Sequence, residues 1–184
     1  MTDIDSLLKS TGAVLEGHFR LTSGRHSATY IEKFRIMEDP PVTETLCRMI
    51  ADRFRDSGAT LVVGPAMGGV ILAFETAKHL GVRAIFAEKG PDGGLMFDRG
   101  FAVTPGQPVL VVDDVLTTGG SVRQVLSLVQ DQGAKVVGVG MLIDRTAGGV
   151  DFGVPFYACH SMSVESFPED DCPLCRRGLP LVIT

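Results

Sequence analysis

Apolar positions along this chain switch between two spacings, and the switching predicts strands of one sheet separated by helices. Val109, Leu110, Val111 and Val112 form an unbroken apolar run, which suits a strand buried on both faces of a parallel sheet. Val122, Val125, Leu126 and Val129 then recur at i, i+3, i+4 and i+7, which predicts a helix after Ser121 that Gly133 ends. Upstream, Leu46, Ile50 and Phe54 predict a helix from a Thr43 cap to about Ser57, with Gly58 as its stop. A strand is expected at Thr60–Val63, followed by a helix at Gly69–Leu80 carrying Val70, Phe74 and Ala77 on one face. Further strands are expected at Val82–Ala87 and Lys135–Ile143, so the order predicts an α/β fold. Gly90 to Gly100 combines Gly90, Gly93, Gly94 and Gly100 with Pro91 and Asp92, and reads as a mobile hairpin tip or lid.

Composition narrows this picture. A chain of 184 residues, 45% hydrophobic with 22 glycines, suits one compact α/β domain rich in turns. A net charge of -5 argues against a generic nucleic-acid surface, which needs a clustered basic excess. Met1 to Asp5 lack a basic leader followed by an apolar stretch, and no window approaches the roughly twenty apolar residues of a membrane span. The expectation is a cytoplasmic protein. Cys47, Cys159, Cys172 and Cys175 are too sparse for a disulfide scaffold and read as cytosolic thiols.

The chemistry concentrates where the apolar run ends. Asp113 and Asp114 stand at the carboxyl end of the strand, where ligands of parallel sheets bind. Two carboxylates there can accept hydrogen bonds from vicinal sugar hydroxyls or reach a divalent cation. After Val115 and Leu116, the run Thr117, Thr118, Gly119, Gly120 and Ser121 offers hydroxyls and bare backbone N–H groups that can close around a phosphate at a helix N-terminus. A capped turn alone needs neither adjacent like charges nor this much glycine. No Gly-x-x-x-x-Gly-Lys-Ser/Thr occurs, and Gly138-Val139-Gly140 lacks the third glycine of a dinucleotide fingerprint at Ile143. The pattern points to a phosphorylated sugar.

Other positions join this edge of the sheet. Gly64-Pro65-Ala66-Met67-Gly68-Gly69 is a strand-to-helix turn of small residues, open either to an anion or to tight-turn geometry alone. Lys89 ends a strand and is either a diphosphate clamp or a solvated lysine. Arg145 follows a strand and can pair bidentately with a ligand carboxylate, or with Asp144. Tyr30 is placed either to stack on a base or to pack on the sheet, and His26 reads as structural. Cys172-x-x-Cys175 has zinc-ligand spacing, but Cys159 and His160 would point to opposite faces of a strand, leaving too few ligands.

The strand, acid pair and Thr-Thr-Gly run resemble the hallmark of the phosphoribosyltransferases. Gly17 to Ser27, Gly64 to Gly69, Phe86-Ala87-Glu88-Lys89, Ile143-Asp144-Arg145 and Cys172-Pro173-Leu174-Cys175 extend the likeness to a short subgroup of the bacterial orotate phosphoribosyltransferases, over nearly the whole chain. The resemblance implies a type I phosphoribosyltransferase fold: a Rossmann-like parallel-sheet core at about 41–154, a hood from about 1–40 and 155–184, and a flexible loop at about 90–100. It implies Mg²⁺-dependent transfer from 5-phosphoribosyl 1-diphosphate to orotate by a homodimer that shares loop residues across its interface. In that family Asp113, Asp114 and Lys89 would be catalytic, and Val115 to Ser121 with Ala66, Met67 and Gly68 would hold the sugar donor. Thr117 and Arg145 would hold orotate.

The chain also departs from its longer relatives. Gly68 stands where they carry a lysine, Thr22 where a basic residue is frequent, and Asp92, Gly93, Gly94 and Met96 where their loop carries a lysine and a histidine. Arg99 is the loop cation left to close over pyrophosphate. The departures keep two alternatives open: another nucleobase, or a regulator that senses the sugar donor without turnover.

Overall fold

The computed structural model describes residues 4–21 and 23–184, so the reading at Thr22 and that over Met1 to Asp3 lie outside the described residues. Helix α1 (Ile4–Ser10) leads into a hairpin of β1 (Val14–Arg20) and β2 (His26–Ile31), then into α2 (Phe34–Met37) and α3 (Pro40–Phe54). The core follows as β3 (Leu61–Pro65), α4 (Gly68–Leu80), β4 (Arg83–Lys89), β5 (Leu95–Met96), β6 (Pro108–Leu116), α5 (Gly120–Asp131), β7 (Lys135–Asp144) and β8 (Phe156–Ser161). Helix α6 (Pro173–Arg176) and β9 (Val182–Ile183) complete the chain.

Six strands form the main sheet in the order β5-β4-β3-β6-β7-β8, parallel except where β5 runs antiparallel to β4. From β3 the chain builds outward first to β4 and then, on the other side, to β6. That reversal opens a crevice at the carboxyl ends of β3 and β6, the place where doubly wound sheets bind ligands. Alternate residues of β6 serve two cores. Leu110 and Val112 pack with Leu46, Ile50, Phe54 and Leu72 of α3 and α4, while Val109 and Val111 pack with Val122, Val125 and Val129 of α5. A second sheet, β2-β1-β9, joins the two ends of the chain, with Phe19 opposite Val182 and Arg20 opposite Ile183.

Several expected boundaries shift for local reasons. The first core helix begins at Pro40 rather than Thr43, because Asp39 accepts from the Val42 N–H at 3.2 Å and Pro40-Pro41 occupy its first turn. Thr43 lies inside and donates its hydroxyl to the Ile36 carbonyl at 2.8 Å. On α4 the buried face is Leu72, Ala73, Thr76 and Ala77, whereas Phe74 is 66% exposed. A run apolar at most positions fixes no single face by spacing alone. The strand expected at Val109–Val112 continues through Asp113 and Asp114 to Leu116, because β7 pairs along it as far as Asp144. The hood boundary near 155 moves as well, since Phe156–Ser161 pairs with β7 and closes the edge of the large sheet. Residues 90–94 form the tip of the β4–β5 hairpin, with the Gly90 N–H donating to the Gly94 carbonyl at 2.7 Å.

Two glycines of β7 set the distance between α3 and the sheet. A Cβ at Gly138 would fall on the Phe54 ring, and one at Gly140 on Ile50. Gly138→Ala should therefore destabilise the fold by about 1–3 kcal/mol through overpacking. Chemical denaturation would show this as a lowered midpoint at unchanged m-value.

Candidate active site

A cavity of about 880 Å³ lies at the carboxyl ends of the core strands, lined by Asp113, Asp114, Val115, Thr117, Thr118 and Ser121 from β6 and the turn after it. Ala66, Met67 and Gly68 from the β3–α4 turn, Lys89 from β4 and Arg145 after β7 line it too. The small sheet and the C-terminal segment contribute Ser23, Arg25, Tyr30, Lys33, Ser166 and Thr184.

Asp113 and Asp114 are 7% and 5% exposed, and local backbone groups hold both. The Asp114 N–H donates to Asp113 Oδ1 at 2.8 Å, and the Val115 N–H to Asp114 Oδ1 at 2.7 Å. Lys33 Nζ reaches Asp114 Oδ2 at 2.8 Å. Burial and the neighbouring Asp114 charge push the Asp113 carboxyl up to about 7, against the pull of the Asp114 N–H and Lys33. Burial alone would lower Lys33, but the hydrogen bond and charge of Asp114 outweigh it and hold the ammonium above its ordinary value. Lys33 carries no sequence signal, because it sits in a short polar turn after β2 and only the folded hood brings it to β6.

The turn between β6 and α5 is tight and leads directly into the helix. Gly119 adopts φ 79°, and α5 starts at Gly120 with no side chain capping its first N–H groups. Those donors therefore stay available to an anion. Thr117, Thr118 and Ser121 line the cavity, while Leu116, Gly119 and Gly120 shape the turn without lining it. In the β3–α4 turn the backbone packs so closely that a Cβ at Gly64 would strike the Gly69 carbonyl, and one at Gly68 the Asp114 carboxylate. The lysine expected of longer relatives thus has no room at 68, and the cation beside Asp114 comes from Lys33 instead. The Ala66 N–H is already used, donating to the Ala87 carbonyl at 2.7 Å.

Arg145 is half-buried and has no acid partner among the described residues. The Asp144 pairing does not form, because Asp144 accepts instead from the Thr146 N–H and hydroxyl, both at 2.7 Å, and from the Gly148 N–H at 3.0 Å. Burial lowers the Arg145 pKa from its ordinary value, and Tyr30 opposes the shift. Tyr30 packs on Phe19 with ring centroids 5.6 Å apart and also lines the cavity. Burial and Glu32 raise its pKa. Lys89 lines the cavity without an ion-pair partner among the described residues. Arg99 is not at the cavity wall: it pairs with Glu88 at 3.1 Å and lies over the Phe86 ring.

His26 is buried and does not line the cavity. The two cysteines of Cys172-x-x-Cys175 do not lack companions, because the fold brings His18 and His26 to them. Sequence spacing gave no access to that long-range meeting. Cys159 instead donates its thiol to the Leu46 carbonyl, and His160 faces Asp5.

Known proteins match the chain over nearly its whole length. The phosphoribosyl transferase domain model matches residues 36–170. The orotate phosphoribosyltransferase of Pelotomaculum thermopropionicum is 48% identical over 180 residues, covering 98% of this chain and 94% of its own length. That of Carboxydothermus hydrogenoformans is 47% identical over 182 residues, covering 98% and 95%. The crystal structure of orotate phosphoribosyltransferase from Aeropyrum pernix superposes with a TM-score of 0.73 at 27% identity, covering 87% of this chain and 94% of that one. Adenine phosphoribosyltransferase from Rhodothermus marinus shares the fold, with a TM-score of 0.68 at 21% identity over 87% of this chain and 100% of its own. The chain belongs to the orotate phosphoribosyltransferases, within the phosphoribosyl transferase domain family.

Proposed function

We propose that the protein transfers the 5-phosphoribosyl group from 5-phosphoribosyl 1-diphosphate to orotate, giving orotidine 5′-phosphate and pyrophosphate in pyrimidine biosynthesis. The observation that carries this reading is Arg145: a half-buried guanidinium without an acid partner among the described residues, in the wall of the cavity that also holds the acid pair and the phosphate loop. A carboxylate on the base satisfies it, and orotate has one. The names of the full-length relatives point the same way.

The site divides the labour by chemistry. Thr117, Thr118, Ser121 and the first N–H groups of α5 receive the 5-phosphate, with Val115 to Gly120 shaping that loop. Asp113 and Asp114 accept from the ribose hydroxyls, and their charge favours the oxocarbenium character that develops as the anomeric bond breaks. Thr117 and Arg145 orient the base so that its ring nitrogen meets that carbon, which makes positioning the main source of rate. Lys89 and the turn at Met67 and Gly68 face the departing diphosphate, and Arg99 would join them only by leaving Glu88. No protein nucleophile is required.

Mg²⁺ fits this site, because burial raises Asp113 towards neutrality for want of compensating charge. Asp113 and Asp114 are the carboxylates that would face it, and the ion would supply charge neutralisation for the leaving diphosphate. A homodimer is supported by Met67, Ile71 and Phe74, an exposed apolar stripe at helical spacing that starts in the diphosphate turn. No described helix is long and apolar enough to cross a membrane. Free thiols at all four cysteines, with the biosynthetic role, support a cytoplasmic location.

Pyrophosphate release measured with 5-phosphoribosyl 1-diphosphate and Mg²⁺ should occur with orotate and not with uracil, adenine, hypoxanthine or nicotinate; release with a different base would replace the acceptor. Arg145→Ala should raise the orotate KM by about tenfold to a hundredfold, as expected for a lost charge-assisted pair, with little change in the donor KM. An unchanged orotate KM would remove Arg145 from base binding. Because the folded-state pKa of Asp113 lies above the ordinary carboxylate value, its ionised form costs stability above about pH 7, and the cost is relieved as pH falls through that value. Asp113→Asn should accordingly raise Tm more at about pH 8 than at about pH 6 while lowering kcat; an equal Tm change at both would remove the strain assigned to this carboxylate.

A further inference from the structure

A cluster of four metal-ligating side chains lies outside the cavity. His18 comes from β1, His26 opens β2, and Cys172 and Cys175 flank the first turn of α6. One ligand atom from each lies within 4.8 Å of all the others. His26 pairs opposite Arg20, and His18 lies in the β-bulge between Glu16 and Phe19, which brings the two imidazoles edge to face with ring centroids 4.9 Å apart. His18, His26 and Cys172 are almost fully buried, and only Cys175 reaches the surface.

We propose that His18, His26, Cys172 and Cys175 form a structural zinc site that ties the C-terminal segment to the N-terminal hairpin. The separations carry the argument. Zinc bound tetrahedrally at its usual bond lengths holds ligand atoms about 3.3 Å apart for two nitrogens and about 3.8 Å apart for two sulfurs. Here His18 Nε2 lies 3.0 Å from His26 Nδ1 and 3.7 Å from each sulfur, and His26 Nδ1 lies 3.3 Å from Cys175 Sγ.

The surroundings suit the ion. His18 Nδ1 donates to the Leu179 carbonyl at 2.9 Å, which fixes the proton on Nδ1 and turns the lone pair of Nε2 towards a metal. His18 Nε2 meets His26 Nδ1 and both sulfurs, and His26 Nδ1 meets Cys175 Sγ, so the ring nitrogens and sulfurs of four side chains converge on one point that two rings and two thiols have too few protons to fill with good hydrogen bonds. A cation takes all four lone pairs at once. Two thiolates and two imidazoles with no carboxylate select zinc over magnesium, and the two-residue gap between the cysteines is ordinary zinc-ligand spacing. The two cysteines are free thiols, as ligation requires.

The site has structural consequences that do not depend on which base the enzyme uses. It locks the segment that carries Ser166 and Thr184 to the cavity and that pairs Phe167 with His26. The full chain, expressed in zinc-replete medium and purified under reducing conditions without chelator, should carry about one zinc per chain by elemental mass spectrometry. Cobalt loaded into the same protein should give the intense visible bands of a tetrahedral site and a thiolate charge-transfer band. Cys175→Ser, at the exposed ligand, should lose the charge-transfer intensity and most of the zinc, and its Tm should fall towards that of the chelator-treated wild type. A wild-type chain that binds neither metal would overturn the proposal. So would a Cys172–Cys175 disulfide, seen as a mass lower by two hydrogens, or a folded Cys175→Ser that retains full zinc and an unchanged cobalt spectrum. Because the wild-type metal content and cobalt spectrum decide by themselves, misfolding of the variant leaves the test intact.

Discussion

Two adjacent carboxylates buried at the end of one strand set the terms for everything around them. In a medium of low dielectric they cannot both stay ionised without a cation and donors close by. Lys33 supplies the cation for Asp114, the following backbone supplies donors to both, and Asp113 stays raised towards neutrality. Since Lys33 follows the N-terminal hairpin, the ion pair that holds Asp114 also docks the small sheet onto the large one. The fold of the hood and the electrostatics of the cavity are thus one problem with one solution.

That solution explains the backbone beside it. Gly68 is the only residue type that leaves room for the Asp114 carboxylate, and Gly64 and Gly69 let the β3–α4 turn close on itself. The turn gives up side-chain chemistry to bring main chain against the acid pair. A relative with a lysine at this position must arrange its acids and their counter-charge differently. In this chain the cation beside Asp114 comes from the segment after β2, as Lys33.

What the sequence revealed follows the range of the forces involved. Local periodicity exposed β6, α5 and the Thr-Thr-Gly turn, because a strand buried on both faces and a helix with one apolar stripe are each defined within a dozen residues. It misjudged α4, where Ile71 and Phe74 are exposed although nearly every position is apolar. It also missed the Asp39 cap, because Thr43 looked equally able to start the helix. Lys33 and the pairing of His18 and His26 with the two late cysteines were invisible for a different reason. Each is a contact across the fold, and no spacing rule within a segment encodes it. Arg145 was found by its place after a strand, but its freedom from Asp144 depended on how Thr146 and Gly148 fold back.

The pairing of β1 with β9 joins residues near the two ends of the chain. Closing so long a loop is entropically expensive and slow, so contacts of high sequence separation come late in folding. The core strands and their helices have short connections and are made before β9, whereas β1 has no β9 partner until the whole core has been synthesised. A nascent chain therefore carries a finished acid pair and phosphate loop under a half-built roof. Thr184 lines the cavity and bonds the Arg20 carbonyl only through that late pairing, so one stretch of cavity wall is set in place after the core that carries the acids.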